Sequence, residues 1–377
     1  MELETRVVHG GDQPADAHGA VSVPIYATAT FAHPGVGQTT GFDYSRVENP
    51  TRNHLERLIA DLEGGVDAVA CSTGMAAIAC VGDLFAPGDH ILHSDDLYGG
   101  SIRYFRTVLA QRGVTFDGVD TNDTVALEAA IRDTTRAIFI ETPTNPMMQV
   151  TDIAAAAAVA RRHGLLVIVD NTFLSPYFQN PLRLGADIVV HSGTKYLGGH
   201  NDSLAGYVVT ASSELAARIR TIFGSVGYAL GPFDAWLQIR GIKTLALRME
   251  ASQRNALAVA TWLRAQPRVR AVHYVGLDDH PDHALSLRQA RGFGSMLSFE
   301  LVDEVSARGL LERLSIIKYA ESLGGVESLI TYPFTQTHAD VPEDERRRRG
   351  INERLLRLSV GIEAADDLIA DLAQALA

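Results

Sequence analysis

From about residue 52 onward, short apolar runs alternate with segments of helical spacing. This alternation constrains the fold more than any other feature. Strands covered on both faces read as continuous apolar runs, and the segments between them must supply the covering helices. Strand candidates fall at residues 90–93, 137–141, 165–170, 188–191 and 206–209. Ahead of them, Leu55, Leu58, Ile59 and Leu62 keep helical spacing, and that helix is predicted to end before Gly64 and Gly65. The chain is read as α/β, on a mostly parallel sheet.

The pattern changes at residues 236–262, which are periodic without a strand signal and are predicted to form one or two helices bridging to another domain. Strand candidates at 269–274, 294–301 and 355–360 then belong to a smaller α+β unit, with 343–349 as a solvated helix. A length of 377 residues suits two such units. The first fifty residues, with VSVPIYATATF and GFDYSRVENPTRNH, hold too many Pro, Gly and Thr for a core helix and read as an arm.

Asp and Glu number 45 against 33 Lys and Arg, a formal charge of −12, which argues against nucleic acid and anionic membrane surfaces as partners. An anionic ligand therefore needs a local pocket. The start MELETRVVHGG lacks a basic region followed by an apolar one, and no window approaches eighteen apolar residues; a soluble, cytoplasmic protein is expected. Cys71 and Cys80 are too few for a disulfide framework and lack metal-type spacing, so both read as packed thiols.

In an open parallel sheet, ligands sit beyond the carboxyl ends of the strands. Lys195 lies there in HSGTKYLGGHND, flanked by Ser192 and Thr194. A desolvated lysine so placed forms Schiff bases; a surface lysine in a glycine-bearing turn is the plain alternative. Asp170 closes LLVIVD. It could bind a metal, cap the next segment, or face a protonated ring nitrogen, and no His/Cys cluster favours the metal. Gly74 and Met75 open a helix-like run, suited to phosphate or to an ordinary cap. Tyr98, in DDLYGG, could stack on a planar cofactor or pack in its loop. Neither a Walker motif nor G-x-G-x-x-G after a strand is present.

Together YSRVENPT, STGMAAI, DLYGG, ETPTNP, VDNTF, HSGTKYLGGHND, ESLGGVESL and LLRLSVGIE, in this order, resemble the Cys/Met-metabolism family of pyridoxal-phosphate enzymes over nearly the whole chain. The resemblance implies fold type I: an arm over 1–50 contacting a neighbouring subunit, a cofactor domain with a mostly parallel seven-stranded sheet over 51–240, and a smaller C-terminal α+β domain over 241–377. It makes Lys195 the Schiff-base lysine and Asp170 the partner of the pyridine nitrogen, with Tyr98 stacked on the ring. The phosphate of pyridoxal 5'-phosphate would be held by Gly74, Met75, Ser192 and Thr194, with Tyr44 and Arg46 arriving from the other subunit of a dimer that pairs into a tetramer. Arg357 would clamp the substrate carboxylate, helped by Ser322 and Asn145.

On that footing Lys195 is tether and base, and Tyr98, its phenol pKa lowered by nearby cations, deprotonates the incoming amine or assists the leaving group. Gly100 stands where methionine γ-lyases carry a cysteine. Glu321 resembles the acidic residue of γ-synthases and γ-lyases. The tail over 330–363 looks more like γ-synthases than like lyases. The expected reaction is γ-replacement on an O-acylhomoserine by cysteine, giving cystathionine, or by sulfide. A cystathionine γ- or β-lyase is the alternative. A non-catalytic pyridoxal-phosphate-binding regulator would need the cofactor cradle but not the Arg357 clamp.

Overall fold

The computed structural model describes residues 1–11, 18–337 and 341–377. Seven strands form the first sheet: β1 (Asp67–Cys71), β2 (His90–Ser94), β3 (Thr115–Val119), β4 (Thr135–Glu141), β5 (Leu166–Asp170), β6 (Ile188–Ser192) and β7 (Gly206–Thr210). Their order is β1-β7-β6-β5-β4-β2-β3, and only β7 runs antiparallel to its neighbours. The fold is α/β with a mostly parallel seven-stranded sheet. Strands β4, β5 and β6 are built on apolar runs, with their polar residues at the strand ends, because helices cover both faces.

Local chemistry explains the helices that matter for the site. Helix Pro50–Glu63 starts on Asn49, whose side chain accepts from Thr51 and Arg52 N–H, and stops at Gly64 in the left-handed conformation. Helix Gly74–Gly82 starts on Thr73, whose hydroxyl accepts from Ala76 N–H. Two strands of this sheet escape a search for apolar runs. β3 is the half-exposed edge and contains Gly118; β1 is a five-residue Asp-Ala-Val-Ala-Cys segment with little bulk.

The second sheet comprises β8 (Val269–His273), β9 (Met296–Leu301), β10 (Lys318–Tyr319), β11 (Leu329–Thr331) and β12 (Leu355–Ser359), ordered β10-β11-β12-β9-β8. The periodic stretch before it forms two helices, Pro232–Ile242 and Leu245–Arg264. The second helix starts with Leu245 and Met249 in the core of the first sheet and ends with Val259 and Leu263 in the core of the second.

A polar network lies inside. The buried Glu56 carboxylate takes Arg52 Nε at 3.3 Å, Arg220 Nη1 at 2.9 Å and Ala70 N–H at 3.0 Å. Arg52 also donates to the carbonyls of Ser45 and Val47, which fixes the last turn of the N-terminal arm against this helix. Cys71 and Cys80 are buried free thiols, as read from the sequence.

Candidate active site

At the carboxyl ends of β4, β5 and β6 a cavity of about 370 Å³ gathers Gly74, Met75, Tyr98, Asn145, Asp170, Ser192, Thr194, Lys195, Glu321, Ser322 and Arg357. Tyr44 and Arg46 are the two remaining predicted residues and do not line it. Tyr44 is 47 % exposed, and the Arg46 guanidinium donates to Gly224 O and lies 5.6 Å from the Tyr44 ring.

One end of the cavity is built for an anion. The first-turn N–H groups of Gly74 and Met75 have no intrahelical carbonyl to reach, and β6 brings the hydroxyl of Ser192 beside them. A Cβ on Gly74 would sit 2.9 Å from Ser192 Cβ, and one on Gly206 would sit 2.0 Å from Thr73 O. The two chain segments thus approach as closely as glycine permits. Thr194 is held by its turn: its N–H donates to Ala205 O and its hydroxyl accepts from Ala205 N–H.

The middle carries two carboxyls. Glu141 and Asp170 are paired in the β4–β5 register, so both side chains leave the same face of the sheet. Burial raises the pKa of each, and for Glu141 the neighbouring Asp170 charge adds to the rise. The hydrogen bonds separate their roles. Asp170 Oδ1 accepts both the hydroxyl of Thr172, at 2.6 Å, and its N–H, at 3.0 Å, which favours the anion. Glu141 Oε2 accepts Tyr98 N–H at 2.9 Å and so sets the loop that carries the tyrosine. The Tyr98 phenol does not match expectation: burial raises its pKa, and Arg103 and Arg357 oppose that rise without overcoming it.

The other end holds Lys195 and Arg357. Lys195 Nζ donates to Ser322 Oγ at 3.0 Å. Burial first, and Arg357 second, lower the amine to about 8, while Glu321 opposes them. Arg357 Nη1 donates to Asn145 Oδ1 and Nη2 to Ser322 O, each at 3.0 Å, leaving a buried Nε without a partner. Ser322 has φ of +102°, a strained conformation for a residue with a side chain, in the segment that touches both Lys195 and Arg357.

The family model described as Cys/Met metabolism PLP-dependent enzyme matches residues 4–377. The chain belongs to that family. Across the family the cofactor is pyridoxal 5'-phosphate, and members related to this chain are transsulfuration enzymes. The chain is 50 % identical to a cystathionine β-lyase of Lactococcus lactis subsp. cremoris (strain MG1363), over 99 % of this chain and 98 % of that one. It is 48 % identical to a cystathionine γ-synthase of Haemophilus influenzae, over 100 % and 98 %. The crystal structure of a cystathionine γ-lyase from Lactobacillus plantarum, complexed with L-serine, superposes with a TM-score of 0.97 at 48 % identity, over 100 % and 98 % of the two chains. Three reaction names thus occur at nearly equal identity. The glycine-tight N–H and hydroxyl cradle fits the phosphate of this cofactor, and a carboxylate whose anion is favoured by two hydrogen bonds from Thr172 fits its protonated ring nitrogen.

Among the described residues, no His/Cys/Asp/Glu group could hold a metal ion and no helix is long and apolar enough to cross a membrane. Sequence reasoning missed Glu141 and Thr172 in this cavity. Both sit inside quoted motifs, ETPTNP and VDNTF, where a carboxylate closing β4 beside Asp170 was the available signal. Of the tail over 330–363, Thr337 lines the cavity, while 338–340 lie outside the described residues.

Proposed function

We propose that the protein is a transsulfuration enzyme that forms cystathionine by γ-replacement on an O-acylhomoserine, with cysteine as nucleophile. The observation that carries this reading is Lys195, lowered to about 8, within hydrogen-bonding reach of the segment that also positions Arg357. Bound in this site, pyridoxal phosphate supplies an electron sink for a carbanion at the substrate Cα.

Everything else falls to the chain. Gly74, Met75, Ser192 and Thr194 would hold the phosphate, Asp170 the ring nitrogen, and Tyr98 the ring face. Arg357 would take the α-carboxylate through its free Nε, with Asn145 and Ser322 fixing the guanidinium. Lys195 would be the tether and, once released, the base that moves protons at Cα and Cβ. Tyr98, its phenol kept protonated by burial, would donate its proton to the departing acyloxy group. Glu321 lines the same cavity and suits a distal ammonium.

We further propose a dimer in which Tyr44 and Arg46 serve the neighbour's phosphate, pairing into a tetramer. Their exposure outside their own cavity supports this. The division into an arm (1–50), a cofactor-binding domain (51–240) and a C-terminal domain (241–377) rests on the two sheets. A cytoplasmic setting suits the two free thiols.

The second reading is a cystathionine lyase, favoured by relatives that carry lyase names at 50 % identity. Product analysis by mass separates the two. The protein is given O-acetyl- or O-succinylhomoserine with cysteine, and separately cystathionine alone. Cystathionine formed in the first mixture supports synthesis; cystathionine rapidly consumed to pyruvate or 2-oxobutyrate, with none formed, replaces it with the lyase.

A further inference from the structure

A second cavity, of about 550 Å³, opens beside β2, β3 and the helix Glu343–Arg348 and shares no lining residue with the cavity around Lys195. Two of its lining residues carry buried polar atoms without a hydrogen-bond partner, Asp96 Oδ1 and Arg349 Nη1. Asp96 is only 2 % exposed; Met147 N–H reaches its other oxygen at 3.4 Å, and the Thr144 side chain also hydrogen-bonds the carboxylate. Arg349 Nη2 is paired with Glu345, itself a lining residue of the cavity, which leaves Nη1 over. The Arg349 charge is felt at Asp96, yet no ion pair joins the two among the described residues.

Three of the other charges at this cavity are engaged. Asp117 is paired with Arg132 and His90, and Arg106 with Glu345. Phe105 and Phe116, stacked at 4.6 Å, add an apolar wall. An unmet acceptor and an unmet cationic donor next to an apolar surface specify a small zwitterion. We propose that this cavity is an effector site for a free α-amino acid, its ammonium toward Asp96 and Asp95 and its carboxylate toward Arg349 and Arg348.

The route to the reaction site is short. Asp96 stands two residues before Tyr98, and its bond to Met147 reaches the loop whose Asn145 accepts from Arg357. A ligand that draws the Asp96 carboxylate therefore acts on the aromatic and on the carboxylate clamp together. Burial holds the Asp96 carboxyl up at about 6, so it is largely ionised near neutral pH, and an arriving ammonium would lower it further toward the usual carboxylate range.

The test is calorimetric titration of the twenty protein amino acids and homoserine into borohydride-reduced holoenzyme carrying Arg357→Ala, where the reaction site is blocked and lacks its clamp. At least one is expected to bind once per chain with Kd below about 1 mM, and Asp96→Asn and Arg349→Gln, each added, should weaken it by about tenfold or more. In the unreduced enzyme without Arg357→Ala, the same amino acid should shift kcat or KM, and Arg349→Gln should abolish that shift. No binding by any of the panel, binding untouched by both substitutions, or binding without a kinetic effect each overturns the proposal. Because binding is read in the reduced protein, the result does not depend on which reaction the enzyme runs.

Discussion

Arg357 and Asn145, 212 positions apart, meet through Nη1 and Oδ1 at 3.0 Å, so the amide holds the guanidinium plane while Nε stays free. Arg357→Lys keeps the charge but loses the fork. We expect KM for the amino-acid substrate to rise and kcat/KM to fall by about 10²-fold, with the visible absorption of the bound cofactor retained. Steady-state kinetics with a parallel absorption spectrum check this, and wild-type kinetics would remove the clamp role.

Thr172 gives Asp170 two hydrogen bonds on one oxygen. Thr172→Val removes the shorter and leaves the N–H. The carboxyl, already raised by burial, then rises further and pairs less well with a protonated ring nitrogen. Cofactor affinity measured by equilibrium dialysis should weaken by about tenfold; unchanged affinity would assign Thr172 to packing alone.

For Lys195 the sign is plain. A folded amine lowered from 10.5 to about 8 is protonated below that pH and nucleophilic above it. The rate at which apoprotein regains cofactor absorbance should therefore climb through pH 8 and level above it. A rate still climbing at pH 10 would mean an ordinary solvated lysine.

Gly100 has a steric reason to be glycine. A Cβ there would sit 2.4 Å from Tyr98 Cε1. Gly100→Ala should push the ring aside and lower kcat/KM by about ten- to a hundredfold with little change in Tm. Retained activity would show that the ring position is not critical.

Glu56 bonds two arginines, and Glu56→Ala leaves the buried Arg52 without its carboxylate and takes from the half-buried Arg220 one of its two. A loss of about 3–5 kcal/mol in denaturant unfolding is expected. Less than about 1 kcal/mol would mean that water reaches the network.

Most of this site was legible because motif residues sit at strand ends, and strand ends in such a sheet converge. Asp170, Ser192 and Lys195 follow apolar runs that periodicity alone marks. Glu141 and Thr172 were harder, since their meaning lies in a register partner and a hydroxyl two residues on, which one strand's pattern does not carry. The direction of the Tyr98 shift depended on burial, and burial is a sum over elements distant in sequence. Arg52 and Glu56 look like an exposed helix pair at i and i+4; only the approach of Arg220 and of the Val47 carbonyl reveals an interior network. β10, with two residues, and β11, with three, exist through their partners rather than through any run of their own.

The twenty-residue helix Leu245–Arg264 has its first turns in one core and its last in the other. Neither sheet can melt without stripping apolar surface from a rod that the other still needs. The two halves are thereby denied separate transitions, and the calorimetric enthalpy of unfolding should match its van't Hoff value.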